Sequence, residues 1–185
     1  MMTIWRSLVQ SKLDYCSQLW SPCDQSSITK LESVARHFTA QVEGMQDYDY
    51  WDRLSSLNLY SQERRRERYQ VIFLWKVAEG LVQGYSCPFY TSPRRGRLAH
   101  VHPYRNQSPA SVKNARESSL KVKGANLFNI IPQHLRDMTA ISQDQFKLSL
   151  DAWLKTIPDQ PTIPNRQRPA CSNSLLDQVP LTYLS

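Results

Sequence analysis

Apolar residues recur at three- and four-residue steps through most of the first 84 residues, which is the period of an amphipathic α-helix. Each such helix has one apolar face that needs a partner. The pattern therefore predicts a small helical bundle over residues 1–84 and a mainly α fold class. In the first helical run the apolar positions are Trp5, Leu8, Val9, Leu13, Cys16 and Trp20.

Capping residues place the later helices of this bundle. Asp24 or Ser26 can begin the second helix, and Asp47 can cap a short third helix, because their side-chain oxygens accept hydrogen bonds from orphan backbone N–H groups. A fourth helix is predicted from about Ser61 to Glu79. Its arginine-rich run, residues 64–68, is interpreted as a solvated helix face.

The positive charge of the chain is concentrated in one segment. The formal net charge is +7, and the residues between Tyr85 and Asn126 include eight basic side chains opposed by Glu117 alone. Such a charge asymmetry predicts contact with a phosphate backbone, in RNA, DNA or an RNA–DNA hybrid, and a solvated basic loop is the alternative. The candidate nucleic-acid-binding residues are Arg94, Arg95, Arg97, Arg105, Lys113, Arg116, Lys121 and Lys123.

Aromatic residues are interleaved with these arginines. Aromatic rings can stack on unpaired bases while arginines contact the phosphates, although tyrosines also anchor loops onto a core. The rings concerned are Tyr85, Phe89, Tyr90 and Tyr104.

Helical periodicity is lost after residue 84 and returns near residue 125. We expect residues 85–124 to form a long basic irregular loop with at most short extended pieces, since prolines punctuate it and few glycines are present to form tight hairpins. Residues 125–157 are predicted to add helices to the same domain, and Ser142 with Gln145 has the spacing of a capping box. Residues 158–185 are rich in proline and are expected to be a flexible, disordered tail.

Catalytic chemistry finds no support in the sequence. No two acidic residues are adjacent, and the densest acidic group is explained by the positive end of a helix dipole. No glycine pattern typical of a nucleotide-binding loop is present. We therefore expect neither an enzyme nor a cofactor. The acidic group consists of Asp47, Asp49 and Asp52.

Cysteine and histidine spacing gives little indication of a metal site. Cys16 and Cys23 lie too far apart for a typical zinc pair, and Cys16 falls on the apolar face of a helix, where it is expected to pack. His100 and His102 are assigned to the basic loop. Scattered cysteines and the absence of a long apolar run make an intracellular, reduced protein without membrane association the expectation.

Read in order, several short motifs resemble the region that follows the polymerase domain in non-LTR retrotransposon reverse transcriptases, especially jockey-like LINE elements. The resemblance covers residues 5–157, with departures at Gln10-Ser11, Gln62 and Ile131. The motifs are Leu8-Val9, Leu13-Asp14-Tyr15 and Trp20-Ser21-Pro22, then Glu32, Val34, Arg36, Phe38 and Thr39, then Tyr50, Arg53, Leu54, Leu57, Leu59 and Glu63 to Arg66, and finally Phe128 to Pro132 and Phe146 to Leu150.

The resemblance implies an accessory role. In that family the metal-binding aspartates and the endonuclease lie upstream of this region, so the segment would sit beside the thumb, next to the upstream reverse transcriptase domain, and would not be catalytic alone. Two alternatives stay open. One is a helical protein-interaction module using apolar surface around Trp5, Trp20 or Trp75, and the other is a non-functional transposon relic.

Overall fold

The computed structural model of the protein describes residues 2–22, 24–101, 110–161 and 173–179. These residues are mainly helical, which confirms the predicted fold class. They divide into two compact units, one formed by residues 2–66 with 159–161 and 173, the other by residues 67–158 with 174–179.

The first unit is entirely helical apart from its connections. It contains, in order, α1 (Met2–Ile4), a π-helical segment π1 (Trp5–Gln10), α2 (Ser11–Asp14), α3 (Ser17–Trp20), α4 (Gln25–Ala40), α5 (Tyr50–Ser56) and the first turns of α6 (Gln62–Ala78).

The core of the first unit forms where π1, α4 and α5 meet. Trp5 is 1% exposed and its indole stacks on the ring of Phe38, with centroids 4.4 Å apart. Ala35 and Leu54 are also buried in this cluster. Of the apolar positions predicted for the first helix, Trp5 is buried as expected, whereas Leu8 is 61% exposed.

The predicted caps of α4 and α5 are found with one shift in position. Asp24 accepts a hydrogen bond from the N–H of Ser27 at 2.8 Å, which confirms it as the start of α4. The cap of α5 is Asp49 rather than Asp47, and it accepts from the N–H groups of Trp51 and Asp52.

The first predicted helix is interrupted near its end. Tyr15 leaves helical geometry, and Cys16 takes a left-handed conformation with φ of +50°. Because of this turn the Cys16 side chain is exposed, and the prediction that it packs on the apolar face is wrong. α3 then begins at Ser17.

The described residues of the second unit are mainly helical and include a β-hairpin. Its elements are the remainder of α6, β1 (Phe89–Ser92), β2 (Gly96–Ala99), α7 (Ala110–Glu117), a π-helical segment π2 (Leu120–Gly124), α8 (Ala125–Ile130), α9 (Gln133–Arg136), α10 (Gln143–Leu154) and α11 (Leu175–Gln178).

The core of the second unit is built on the apolar half of α6. The Trp75 side chain is fully buried and stacks on Phe146 of α10, with ring centroids 4.5 Å apart. Its indole N–H donates to the carbonyl of Met138 at 2.9 Å. The capping box predicted for Ser142 and Gln145 opens α10 and is confirmed.

Two segments are more ordered than predicted. Residues 85–124, expected to be an irregular loop, contain the β1–β2 hairpin, α7 and π2. Within the predicted tail, Ser174 caps α11, and Leu175 is fully buried while its N–H donates to Glu67 at 2.8 Å. Both segments gain order from contacts distant in sequence, which local periodicity does not report. In the part of the chain that the structure describes, no helix is long and apolar enough to cross a membrane.

Candidate nucleic-acid interface

The structure sorts the predicted basic residues into two groups. Exposed side chains belong to Arg94, Arg95, Arg116 and Lys121. Arg97 and Lys123 are partly buried and form ion pairs with glutamates of the same unit. Arg105 lies outside the described residues, and Lys113 lies in α7, where its side chain is not described.

Arg94 and Arg95 form the tip of the β1–β2 hairpin. The antiparallel ladder runs from Phe89 opposite Ala99 to Ser92 opposite Gly96, and the N–H of Arg95 donates to the carbonyl of Ser92 at 3.3 Å. Pro93 opens the turn with its fixed φ, and Gly96 closes it with φ of +68°. One correctly placed glycine is therefore enough for a hairpin that the low glycine content argued against.

Arg97 anchors this hairpin from behind. Its guanidinium pairs with Glu79 at 2.5 Å and donates to the carbonyls of Arg136 at 2.7 Å and Met138 at 3.2 Å. Its backbone N–H donates to Asp137 at 2.7 Å. These contacts of Arg97 hold β2 in place, whereas Arg94 and Arg95 at the tip are exposed to solvent.

A second arginine and an asparagine complete the anchor. Arg136 donates to the carbonyls of Arg97 at 3.0 Å and Ile131 at 3.0 Å, and burial lowers the pKa of its guanidinium. Asn129 of α8 both donates to and accepts from the backbone of Ala99, at 2.9 and 2.8 Å. The hairpin is thus attached to α8 and α9 through its backbone.

The four aromatic residues of the basic segment differ in their surroundings. Tyr85 packs edge-on against Phe73 at 5.2 Å, and burial raises the pKa of its hydroxyl. Phe89 packs against the buried Phe128 at 5.5 Å. Tyr90 is 50% exposed, and Tyr104 lies outside the described residues.

The basic residues after the hairpin also divide by burial. Lys123 pairs with the buried carboxylate of Glu67 at 3.1 Å, so it neutralises a negative charge inside the second unit. Lys121 is exposed and lies near Cys87. Burial raises the pKa of the Cys87 thiol, and the positive charge of Lys121 opposes this effect. Arg116 is exposed at the end of α7.

The arginine-rich start of α6 is buried, and its interpretation as a solvated face is wrong. Arg64 is fully buried, Arg66 is 5% exposed and Glu67 is 1% exposed. The charges are retained inside because carboxylates distant in sequence meet them. Arg65 forms a bidentate pair with Asp14, with its shortest contact at 2.6 Å.

A buried carboxylate, missed from the sequence, caps α6 in the first unit. Glu32 is 8% exposed and accepts hydrogen bonds from the hydroxyl of Tyr50 and, at 3.0 and 3.1 Å, from the N–H of Gln62. Burial raises the pKa of Glu32 and also that of Tyr50. Its partners are backbone and phenol donors, so the arrangement supports the fold.

Arg66 lies next to this carboxylate and is incompletely satisfied. It donates to the carbonyl of Gln62 at 3.1 Å and stacks over the ring of Trp20 at 4.7 Å. Its Nε and Nη2 atoms have no hydrogen-bond partner among the described residues. Burial lowers the pKa of this guanidinium, while Glu32 and Asp14 oppose that effect.

Metal-ligating groups do not converge within the described ranges. No cluster of three or more histidine, cysteine, aspartate or glutamate side chains suited to a metal ion is found there. His100 is exposed next to Tyr90, with ring centroids 6.3 Å apart, while Cys23 and His102 lie outside the described residues.

Comparison with known protein families, curated proteins and solved structures gives no match for this chain.

Proposed function

We propose that this chain is an accessory nucleic-acid-binding segment of a non-LTR retrotransposon reverse transcriptase, derived from the region after the polymerase palm and not catalytic alone. The observation that carries the binding role is the hairpin tip, where Arg94 and Arg95 are exposed on a turn whose strands are held by Arg97 and Arg136. Lys121 and Arg116 add exposed positive charge in the same unit. The sequence resemblance carries the proposed origin.

The partner proposed is RNA, DNA or an RNA–DNA hybrid, because exposed arginines on an anchored turn suit phosphate contacts. Such contacts release counterions, so binding is expected to weaken steeply with salt. The segment is expected to act inside the cell, beside the upstream reverse transcriptase domain.

Neutralising the exposed group tests the binding role. We expect the variant with Arg94, Arg95, Arg116 and Lys121 all changed to Ala to reduce the salt-dependence slope by about three on single strands, since each phosphate contact contributes about 0.7. The measurement is fluorescence anisotropy of labelled single-stranded RNA, RNA–DNA hybrid and duplex DNA, titrated over salt.

A matched control removes the same charge elsewhere. Arg6, Lys12, Lys30 and Lys155 are exposed and lie outside the basic segment, so changing these four to Ala lowers the net charge equally. This control should keep most of the wild-type slope. If both variants lose the same amount of salt-dependence slope, binding depends on net charge alone. If the folded wild-type chain does not bind, the proposal is contradicted.

The proposed origin has a separate test in genomic DNA upstream of the Met1 codon. A reading frame there, open or broken, that encodes an aromatic-x-Asp-Asp palm motif would support a reverse transcriptase origin. Upstream sequence with no trace of a polymerase domain in any frame would contradict it.

A second candidate function is a protein-interaction module acting through a second copy of this chain. Of the three tryptophans expected to provide its surface, Trp5 and Trp75 are buried and Trp20 is 41% exposed. Exposed apolar side chains at the start of the first unit favour this candidate instead. They are Ile4 at 60%, Leu8 at 61%, Tyr15 at 75% and Leu19 at 80% exposure.

Self-association through these side chains is testable. If they form the interface, the wild-type chain should sediment as a dimer at micromolar concentration, and the Leu8→Asp, Leu19→Asp variant as a monomer. A wild-type chain that sediments as a monomer throughout that range would exclude a dimer of this affinity.

A further inference from the structure

Tyr90 differs from the other aromatic residues described in the basic segment because its ring is half exposed on an anchored strand. Its neighbour Phe89 packs on Phe128, and its register partner Leu98 is 4% exposed. Side chains alternate between the two faces of a strand, so the packing of Phe89 on one face directs Tyr90 to the other. The Tyr90 ring meets the His100 ring edge-on, with centroids 6.3 Å apart, and half of the residue stays exposed.

The position of Tyr90 relative to the arginines suits a bound strand. Pro93 at the turn comes three positions after Tyr90, about 10 Å along the chain at roughly 3.3 Å per residue. Arg95 and Tyr90 both lie near Arg136, whose pKa is lowered mainly by burial and is influenced by both of them. An exposed aromatic residue and two exposed arginines thus belong to one hairpin, within a few nucleotides' reach.

We propose that Tyr90 stacks on an unpaired base while Arg94 and Arg95 contact the phosphates beside it, so the hairpin prefers single-stranded nucleic acid to duplex. This inference rests on the proposed nucleic-acid function and adds the kind of strand recognised. Base faces inside a duplex are covered by neighbouring bases, and exposing one costs unstacking energy. A tyrosine face therefore has a ready partner in a single strand alone.

The test compares variants of the full chain on two probes, a fluorescein-labelled 12-nucleotide oligouridine RNA and a 12-base-pair RNA duplex. We expect Tyr90→Ala to weaken binding of the single strand about tenfold and to leave duplex binding unchanged. Tyr90→Phe keeps the ring and should stay within about twofold of wild type. Because stacking releases no counterions, the salt slope of Tyr90→Ala should equal that of wild type.

Tyr48 provides a control of matched exposure. It is 51% exposed and lies in the first unit, so Tyr48→Ala should leave both affinities unchanged, with circular dichroism verifying the fold of each variant. Unchanged single-strand binding by Tyr90→Ala, equal weakening on both probes, or loss on Tyr90→Phe would overturn the stacking role and leave the proposed function standing. Failure of the wild-type chain to bind either probe would overturn both.

Discussion

Glu32→Ala is expected to destabilise the first unit by about 3–5 kcal/mol, as is typical when one partner of a buried charged network is removed. The change would leave the Tyr50 hydroxyl and the Gln62 N–H buried without their acceptor, and each unsatisfied group costs about 1–3 kcal/mol. It would also remove a negative charge from the start of α6. Urea denaturation followed by circular dichroism measures the loss.

Glu32→Gln is the matched variant for this position. The amide keeps the size of the side chain, its oxygen can accept from Gln62, and its NH₂ group can donate to the Tyr50 oxygen. We expect it to cost about 1 kcal/mol. If Glu32→Ala is as stable as Glu32→Gln, the hydrogen bonds that Glu32 accepts from Tyr50 and Gln62 contribute no measurable stability.

The raised pKa of Glu32 gives this network a pH dependence of known sign. A carboxyl whose pKa is higher in the folded than in the unfolded state favours folding most when it is protonated. Its contribution is complete below the unfolded value near 4.5 and is lost as pH rises through the folded pKa. Stability of wild type relative to Glu32→Gln should therefore fall over that window, by at most about 1.4 kcal/mol per pH unit. A constant difference from pH 4 to pH 8 would contradict the shift.

The helices were predictable because their signals are local. The apolar period, the Asp24 cap and the Ser142–Gln145 capping box each act within a few residues, and the structure has all three. Trp75, expected to offer exposed apolar surface, is instead fully buried against Phe146. Local periodicity thus locates the helices, but it does not determine which of their apolar side chains turn inward.

The start of α6 was misread because a polar run looks the same whether it is solvated or paired internally. Residues 64–68 contain no apolar side chain, and only the acids brought to them by the fold decide the outcome. A signal was nevertheless present. Glu32, Tyr50 and residues 63–66 all belong to the motifs behind the family resemblance, and the structure brings Glu32 together with Tyr50 and Arg66.

The sequence predicted where the basic residues of the candidate interface are concentrated, but not which of their side chains are exposed. Sequence placed eight basic residues in one segment without separating the exposed tip from the anchoring Arg97 and Lys123. Glu67 of α6 pairs with Lys123, and Glu79 in the turn after α6 pairs with Arg97. These two ion pairs distinguish the anchoring residues from the exposed tip. Charge density therefore located the segment, while tertiary ion pairs determine which of its side chains are available to a ligand.

Gly96→Ala is expected to destabilise the second unit by about 1.5–3.5 kcal/mol and to disturb the hairpin tip. Left-handed backbone geometry costs a residue with a Cβ about 1–2 kcal/mol. The new Cβ would also lie 2.3 and 2.5 Å from the two carboxylate oxygens of Asp137, so that side chain must move. Its displacement breaks the exposed hydrogen bond from the Arg97 N–H, at a further cost of about 0.5–1.5 kcal/mol.

Gly84→Ala separates the two contributions, since Gly84 has a similar φ of +75° and a Cβ added there would meet no atom within 4 Å. We expect it to lose only the backbone part, about 1–2 kcal/mol in thermal or urea unfolding. Equal losses of unfolding free energy at the two glycines would show that the Asp137 side chain can move at no energetic cost. If the hairpin binds nucleic acid, Gly96→Ala should also weaken that binding more than Gly84→Ala, because the ion pair of Arg97 with Glu79 and the placement of Arg94 both depend on the same turn.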